Sequence, residues 1–148
     1  MKKMHEMIVL SRKMCTFAVR MNTHVLYISI GTNLATAEQV MAWTKRRLAE
    51  AFRGEARYST IVQTEPINFV SERPFTNQLA VIKTTVPTPL AKPLLKSIER
   101  QLGRNEADTR RGVVRLDLDL LVLDGEVLKP TDWEFPHIRE ARRELGID

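Results

Sequence analysis

Residues 113–123 constrain the fold more than any other part of the chain. Their β-branched and apolar residues read as a strand, closed by Asp124-Gly125, a two-residue hairpin signal with residues 126–128 returning. Successive strand side chains alternate, so Leu116, Leu118 and Leu120 enter a core while Asp117 and Asp119 share the opposite face. A sheet must be assembled around this strand, and the rest of the chain supplies its partners. Residues 25–30 are β-branched and apolar, bounded by Gly31, and read as a buried strand. Thr36 with Gln39 spells a capping box, and Val40, Met41, Thr44, Leu48, Ala51 and Phe52 then recur at helical spacing up to Gly54. A strand is expected at about 56–62, then a loop with Pro66 and Pro74, then a long strand at about 76–86. A second helix carries Leu94, Leu95, Ile98 and Leu102 on one face and ends at Leu102-Gly103, with Pro89 and Pro93 each suited to its first turn. The order β-α-β-β-α-β plus a hairpin strand is the ferredoxin-like split arrangement of the α+β class, an antiparallel sheet with helices packed on it. That fold hosts many functions and decides none of them.

Composition narrows the classes. The chain has 148 residues and 43% hydrophobic side chains, enough for one domain with its own core. No run approaches the ~20 apolar residues of a membrane-spanning helix. Cys15 is the single cysteine, and no Cys/His cluster has zinc spacing, so a reducing, cytoplasmic setting is expected. The net charge of +5 is concentrated in residues 1–20, where Lys2, Lys3, Arg12, Lys13 and Arg20 face Glu6 alone. The body from Met21 onward is close to neutral. Residues 1–20 lack the apolar run of a secretory signal and are expected to be a disordered or non-native leader, with 21–148 forming a single domain.

Two like charges ~6–7 Å apart on one strand face repel unless something neutralises them. A divalent cation does so, and Mg²⁺ characteristically uses one or two carboxylates plus substrate phosphates. The alternative is a solvated face whose aspartates pair with Arg115 or a neighbouring lysine. Arg104, Arg110, Arg111 and Arg115 precede the pair, and His137, Arg139, Arg142 and Arg143 follow it. Arginine forks match phosphate oxygens. A solvated helix face with Glu140 and Glu144 as partners would also account for the last three arginines. Neither a P-loop nor a G-x-G-x-x-G fingerprint is present.

From about Tyr27 to Leu145 the chain resembles the 6-hydroxymethyl-7,8-dihydropterin pyrophosphokinases of folate synthesis. The resemblance rests on the segments from Tyr27 to Leu34, Thr64-Glu65-Pro66, Phe75-Thr76-Asn77, Ile98 to Arg104, Leu116 to Asp119, and Phe135-Pro136-His137, in that order and spacing. It implies transfer of pyrophosphate from ATP to the hydroxymethyl group of a reduced pterin, leaving AMP. It also implies that Asp117 and Asp119 hold two Mg²⁺ ions, which bridge the triphosphate and orient the pterin hydroxyl. By the same matching, Asn77 would bind the pterin edge, Phe75 would stack on its ring, and Thr64 and the backbone near Ile67 would line its pocket. Glu99, Arg104, Arg110, Arg111 and His137 would face ATP, and Arg143 matches a mobile-loop arginine. The implied partners are ATP and a pterin, with no nucleic acid or membrane, for a monomer or weak homodimer.

The departures are specific. Where the family reads Arg-Trp-Gly-Pro-Arg-Thr, this chain has Arg110-Arg111-Gly112-Val113-Val114-Arg115. Arg115 thus lies one residue nearer the aspartates, and a one-residue shift in a strand exchanges faces. It is expected on the face of Asp117 and Asp119, as a catalytic group or as their partner. Glu106 stands where the family has an arginine and Leu145 where it has a stacking aromatic, and the sequence ends at Asp148, so the resemblance is expected to be that of a divergent, C-terminally short member. These features set an expectation of reduced activity. Two other readings stand beside it: a catalytically impaired pterin- or nucleotide-binding homologue, and a basic ferredoxin-like nucleic-acid-binding module. The second of these lacks the aromatic pattern of such domains.

Overall fold

A computed structural model describes residues 22–66, 73–103 and 106–147. The expectations for residues 1–20, Ile67 and Arg104 lie outside the described residues. Along the chain run β1 (His24–Thr32), α1 (Ala37–Phe52), β2 (Glu55–Tyr58), β3 (Val62–Thr64), β4 (Phe75–Thr84) and α2 (Thr88–Gln101). These are followed by α3 (Glu106–Arg110), β5 (Asp117–Leu123), β6 (Glu126–Val127), α4 (Pro130–Trp133) and α5 (Pro136–Leu145). The strands form one six-stranded sheet in the order β2-β4-β1-β5-β6, with β3 also paired to β4. Every pairing is antiparallel. The expected α+β class and split β-α-β order are both present.

Alternation along β1 sorts the two faces. Leu26, Ile28 and Ile30 join Ala80, Ile82, Leu118 and Leu120 beneath α1 and α2, which contribute Val40, Met41, Leu48, Phe52, Leu95 and Ile98. The second face carries Leu79, Val81, Leu121 and Val122 beneath Ile138, Ala141 and Leu145 of α5. A register shift opposite Tyr27 and Ile28 lets the consecutive residues Leu121 and Val122 both join this second cluster. Tyr27 stacks on Trp133 at 5.5 Å, and the Arg142 guanidinium lies 4.1 Å from the centroid of the same Trp133 ring while its Nη1 donates to the Trp133 carbonyl. Arg142 is therefore a packing residue of α5. Glu144, read from the sequence as an arginine partner, accepts instead from the Thr60 amide and hydroxyl.

Three sequence expectations are corrected and one left open is decided. The strand expected at 56–62 is two strands, β2 and β3, on one edge of β4. Ser59 separates them, because its hydroxyl accepts the Leu79 N–H at 2.9 Å and replaces a ladder carbonyl. The strand expected from 113 starts only at Asp117. Before it, Val114 donates to the Asn33 side-chain oxygen and accepts from the Asn33 N–H, so an asparagine serves as the partner strand. Thr36 makes no side-chain cap bond to α1, and Arg53, at φ 50°, adopts the left-handed position that ends the helix. Gly54 is needed for another reason: a Cβ there would collide with the Lys83 carbonyl on β4. Finally, α2 starts at Thr88 with Pro89 in its first turn, and Pro93 lies inside the helix.

Candidate active site

The helix α5 covers only part of the second sheet face. Beyond its N-terminus the sheet is exposed as the floor of a cavity of about 380 Å³. Three adjacent strands build that floor, and their register sets its chemistry. Gly31 on the central strand β1 pairs with Asn77 on one side and with Asp117 on the other. Ser29 pairs with Leu79 and Asp119 one step along. Glycine and serine keep the middle of the floor low, so the amide of Asn77 and the two carboxylates rise on either side of an open trough. Asp117 and Asp119 are half-buried with Leu118 buried between them, as the alternation predicts.

Of the residues singled out from the sequence, Thr64, Phe75, Asn77, Arg115, Asp117, Asp119 and His137 all line this one cavity. The Asn77 amide donates to the Thr64 hydroxyl at 2.6 Å, which orients both side chains at the β3–β4 edge. His137 stands at the start of α5, stacked with Phe135 at 5.8 Å. Burial pushes its pKa below the usual value, against the opposing pull of Asp132. His137, Thr64, Asn77 and Ile138 also wall a second cavity of about 390 Å³ between β3 and α5.

Other expected site residues are placed elsewhere. Glu99 is buried in α2, where the Lys96 ammonium contacts it at 3.2 Å, and does not line the cavity. Arg110, Arg111 and Arg143 are exposed and are not among the described lining residues. Arg115 lines the cavity but does not bond to the paired aspartates as one sequence reading had it. The chain has not yet entered β5 at this point, so strand alternation does not govern it. Its Nε donates to Asp108 at 2.7 Å.

Sequence reasoning named neither Asp108 nor Asp132, and it foresaw Lys129 only as a neighbouring lysine paired with the aspartates. Asp108, in α3, is buried and accepts from both Arg115 and Arg111, whose hydrogen bonds hold its carboxyl below the usual range. Lys129 follows β6, and its ammonium donates to Asp119 Oδ1 at 2.7 Å. That bond, with Asp132 and Asp117 nearby, raises its pKa. Asp132 lies in α4 and lines the cavity. The hairpin at Asp124-Gly125 was the available signal for Lys129, because it folds residue 129 back beside residue 119. Nothing in the sequence marked Asp108.

Among the described residues, no group of three or more His, Cys, Asp or Glu side chains is arranged to enclose a metal ion. Asp117 and Asp119 offer an open, two-carboxylate donor set of oxygen ligands. That fits Mg²⁺, which takes its remaining ligands from phosphate and water, and does not fit a closed structural site. No described helix is long and apolar enough to cross a membrane.

Comparison with known proteins agrees with this geometry. The sequence matches the family described as 7,8-dihydro-6-hydroxymethylpterin-pyrophosphokinase over residues 27–146. It is 27% identical over 121 residues to the 2-amino-4-hydroxy-6-hydroxymethyldihydropteridine pyrophosphokinase of Bacillus subtilis, covering 81% of this chain and 72% of that one. The enzyme of the same name from Porphyromonas gingivalis is 26% identical over 126 residues, covering 82% and 84%. A folate synthesis bifunctional protein of Arabidopsis thaliana is 25% identical over 119 residues, covering 75% of this chain and 25% of the plant protein. The match spans the whole cavity, from Tyr27 beneath α4 to the last turn of α5, and the chain belongs to the 7,8-dihydro-6-hydroxymethylpterin-pyrophosphokinase family.

Proposed function

We propose that this cavity transfers the pyrophosphoryl group of ATP to the hydroxymethyl group of 6-hydroxymethyl-7,8-dihydropterin, with Asp117 and Asp119 as the ligands of Mg²⁺. Family membership makes the chain a pterin pyrophosphokinase of folate biosynthesis. The nucleotide, the ion and the residue roles are our reading. One observation carries it: Asn77, Gly31 and Asp117 form a single row across three adjacent strands. Two strand spacings separate the amide from the carboxylate by ~10 Å between backbones. A two-ring heterocycle seated on Gly31 would meet an oriented amide at one edge and extend its hydroxymethyl arm toward the carboxylates.

The chain's own residues would divide the work as follows. Asn77, fixed by Thr64, reads the pterin's polar edge, and Phe75 covers its ring. Phe135 and Ile138 exclude water from that end. Arg115, held by Asp108, and the neighbouring exposed Arg110 and Arg111 meet the triphosphate, with Arg143 on the nucleotide side. His137, kept neutral by burial, donates a ring N–H. The pterin hydroxyl oxygen bonds to the β-phosphorus as the bond from that phosphorus to the α–β bridging oxygen breaks. AMP leaves with the bridging oxygen, and the hydroxyl proton passes to solvent. Bound Mg²⁺ would supply neutralisation of the triphosphate charge.

AMP formation from ATP, Mg²⁺ and the pterin tests this reading. Asp117→Asn and Asp119→Asn should each lower turnover by roughly a hundredfold or more, the scale of losing one transition-state contact. Their melting temperatures should stay near wild type, because both side chains face away from the apolar core. Unfolding of either variant would make the aspartates structural and remove the proposal. A second reading, binding without turnover, is favoured by the engagement of Arg115 with Asp108. Pterin binding with no AMP released would select it.

A further inference from the structure

The pair of aspartates already has a cation, supplied by the chain itself. Lys129 donates to Asp119 Oδ1 at 2.7 Å, and its side chain remains 46% exposed while that of Asp119 is 20% exposed. The lysine backbone is anchored on both sides. Its N–H and that of Leu128 both donate to the Leu121 carbonyl, at the irregular step of β5, and its own carbonyl accepts the Trp133 N–H that starts α4. The ammonium is thus delivered to the carboxylates by a fixed tether rather than by a mobile arm. It remains solvated enough to leave them.

We infer that Lys129 is an exchangeable internal counter-ion of the Asp117–Asp119 pair, holding Asp119 in the ligand-free protein and giving it up when a divalent cation arrives. The inference rests on reading those aspartates as the cation's ligands. Two consequences follow from charge alone. Free divalent ions have to displace an ammonium to reach Asp119, so the ligand-free protein binds them weakly. A nucleotide that brings its own phosphate oxygens offers the released ammonium a new anionic partner, so cation and triphosphate are favoured together. An exposed ion pair is weak enough for such an exchange to be reversible.

Titration of the ligand-free protein with Mn²⁺, followed by the paramagnetic resonance of the free ion, tests this without any turnover. Lys129→Met should tighten Mn²⁺ binding by about tenfold, equivalent to ~1.4 kcal/mol. Lys129→Arg, which keeps the charge and can grip a carboxylate with two N–H groups, should bind Mn²⁺ no tighter than wild type. Arg139→Gln removes an exposed positive charge on α5, from a residue that pairs with Glu134 and lines neither cavity, and controls for general electrostatics; it should change affinity less than about twofold. Equal affinity in wild type and Lys129→Met, or equal tightening in the methionine and arginine variants, overturns the inference. So does a change in Arg139→Gln as large as that in Lys129→Met. Asp119→Asn separates this failure from failure of the underlying site. If that variant loses Mn²⁺ while Lys129→Met is unchanged, the aspartates are the ligands and the lysine is a bystander. If it binds Mn²⁺ as wild type does, the metal reading itself falls, and this inference with it.

Discussion

Gly31→Ala separates stability from binding at a single atom. Gly31 is paired on both sides within β1 and has no positive φ, so its backbone suits alanine. An added Cβ would meet the Asn77 side-chain oxygen at 3.4 Å, ordinary contact that demands little adjustment from the protein. Replacing a glycine under these conditions reduces the freedom of the unfolded chain and stabilises by about 0.4–1 kcal/mol. The methyl would nevertheless stand in the floor of the trough, between Asn77 and Asp117, where the pterin is proposed to lie. Overfilling a fitted site costs about 1–3 kcal/mol, which is about one to two decades in affinity. Urea denaturation gives the first quantity, and the pterin's own fluorescence on titration gives the second. A variant at least as stable as wild type, with pterin binding weakened about tenfold or more, is the expected result. Unchanged pterin affinity would refute the placement of the ligand over β1, and marked destabilisation would make Gly31 a packing residue. Gly54→Ala provides the contrast. Its Cβ would be driven into the Lys83 backbone, so it should destabilise strongly, while the molecules that remain folded keep normal pterin affinity.

Two further predictions concern pH. Burial holds His137 below its usual pKa, so as pH falls below ~6.5 the unfolded chain takes up a proton that the folded protein refuses. Stability should decline from that point downward, and His137→Gln should flatten the decline in denaturant midpoints between pH 7.5 and 5; an unaltered slope would exonerate the histidine. The Asp108 carboxyl is depressed by Arg115 and Arg111, so its contribution is present above the ordinary carboxylate pKa of ~3.9 and disappears as pH falls through its lower folded value. Asp108→Asn should therefore be less stable than wild type at pH 7 and converge with it in acid, and its KM for ATP should rise as Arg115 loses its anchor. Parallel stability curves across that range would show that the ion pair contributes nothing.

The parts of the fold that follow from alternation and helical spacing were legible. Leu118 between two aspartates announced both the core and the acidic face, and Val40, Met41, Thr44 and Leu48 announced the face of α1. What remained hidden depends on side chains standing in for backbone. Ser59 accepts a ladder N–H and Asn33 pairs with Val114, so both interrupt strands that composition alone would continue. The site was legible in its ordered motifs, which brought Thr64, Phe75, Asn77, Asp117, Asp119 and His137 to one cavity. Arg115 reaches the same cavity as the aspartates, but two residues before β5 begins its Nε donates to Asp108 rather than to them. Asp108 could not be found from spacing, because a short helix brings it to its partners, whereas the Asp124-Gly125 hairpin held the signal for Lys129.

The central position of β1 also bears on how the molecule comes into being. Its two neighbours are β4 and β5, so the first of the described strands is completed on one side only by residues from 117 onward. Pairings so distant along the chain fold slowly, since loop closure has to precede the contacts that reward it. On the ribosome, β1 and β4 can pair while one edge of β1 still lacks its partner. The strand that seals this edge is the one that carries Asp117 and Asp119. The acidic face is therefore completed only with this last pairing, after residues 117–123 have been made.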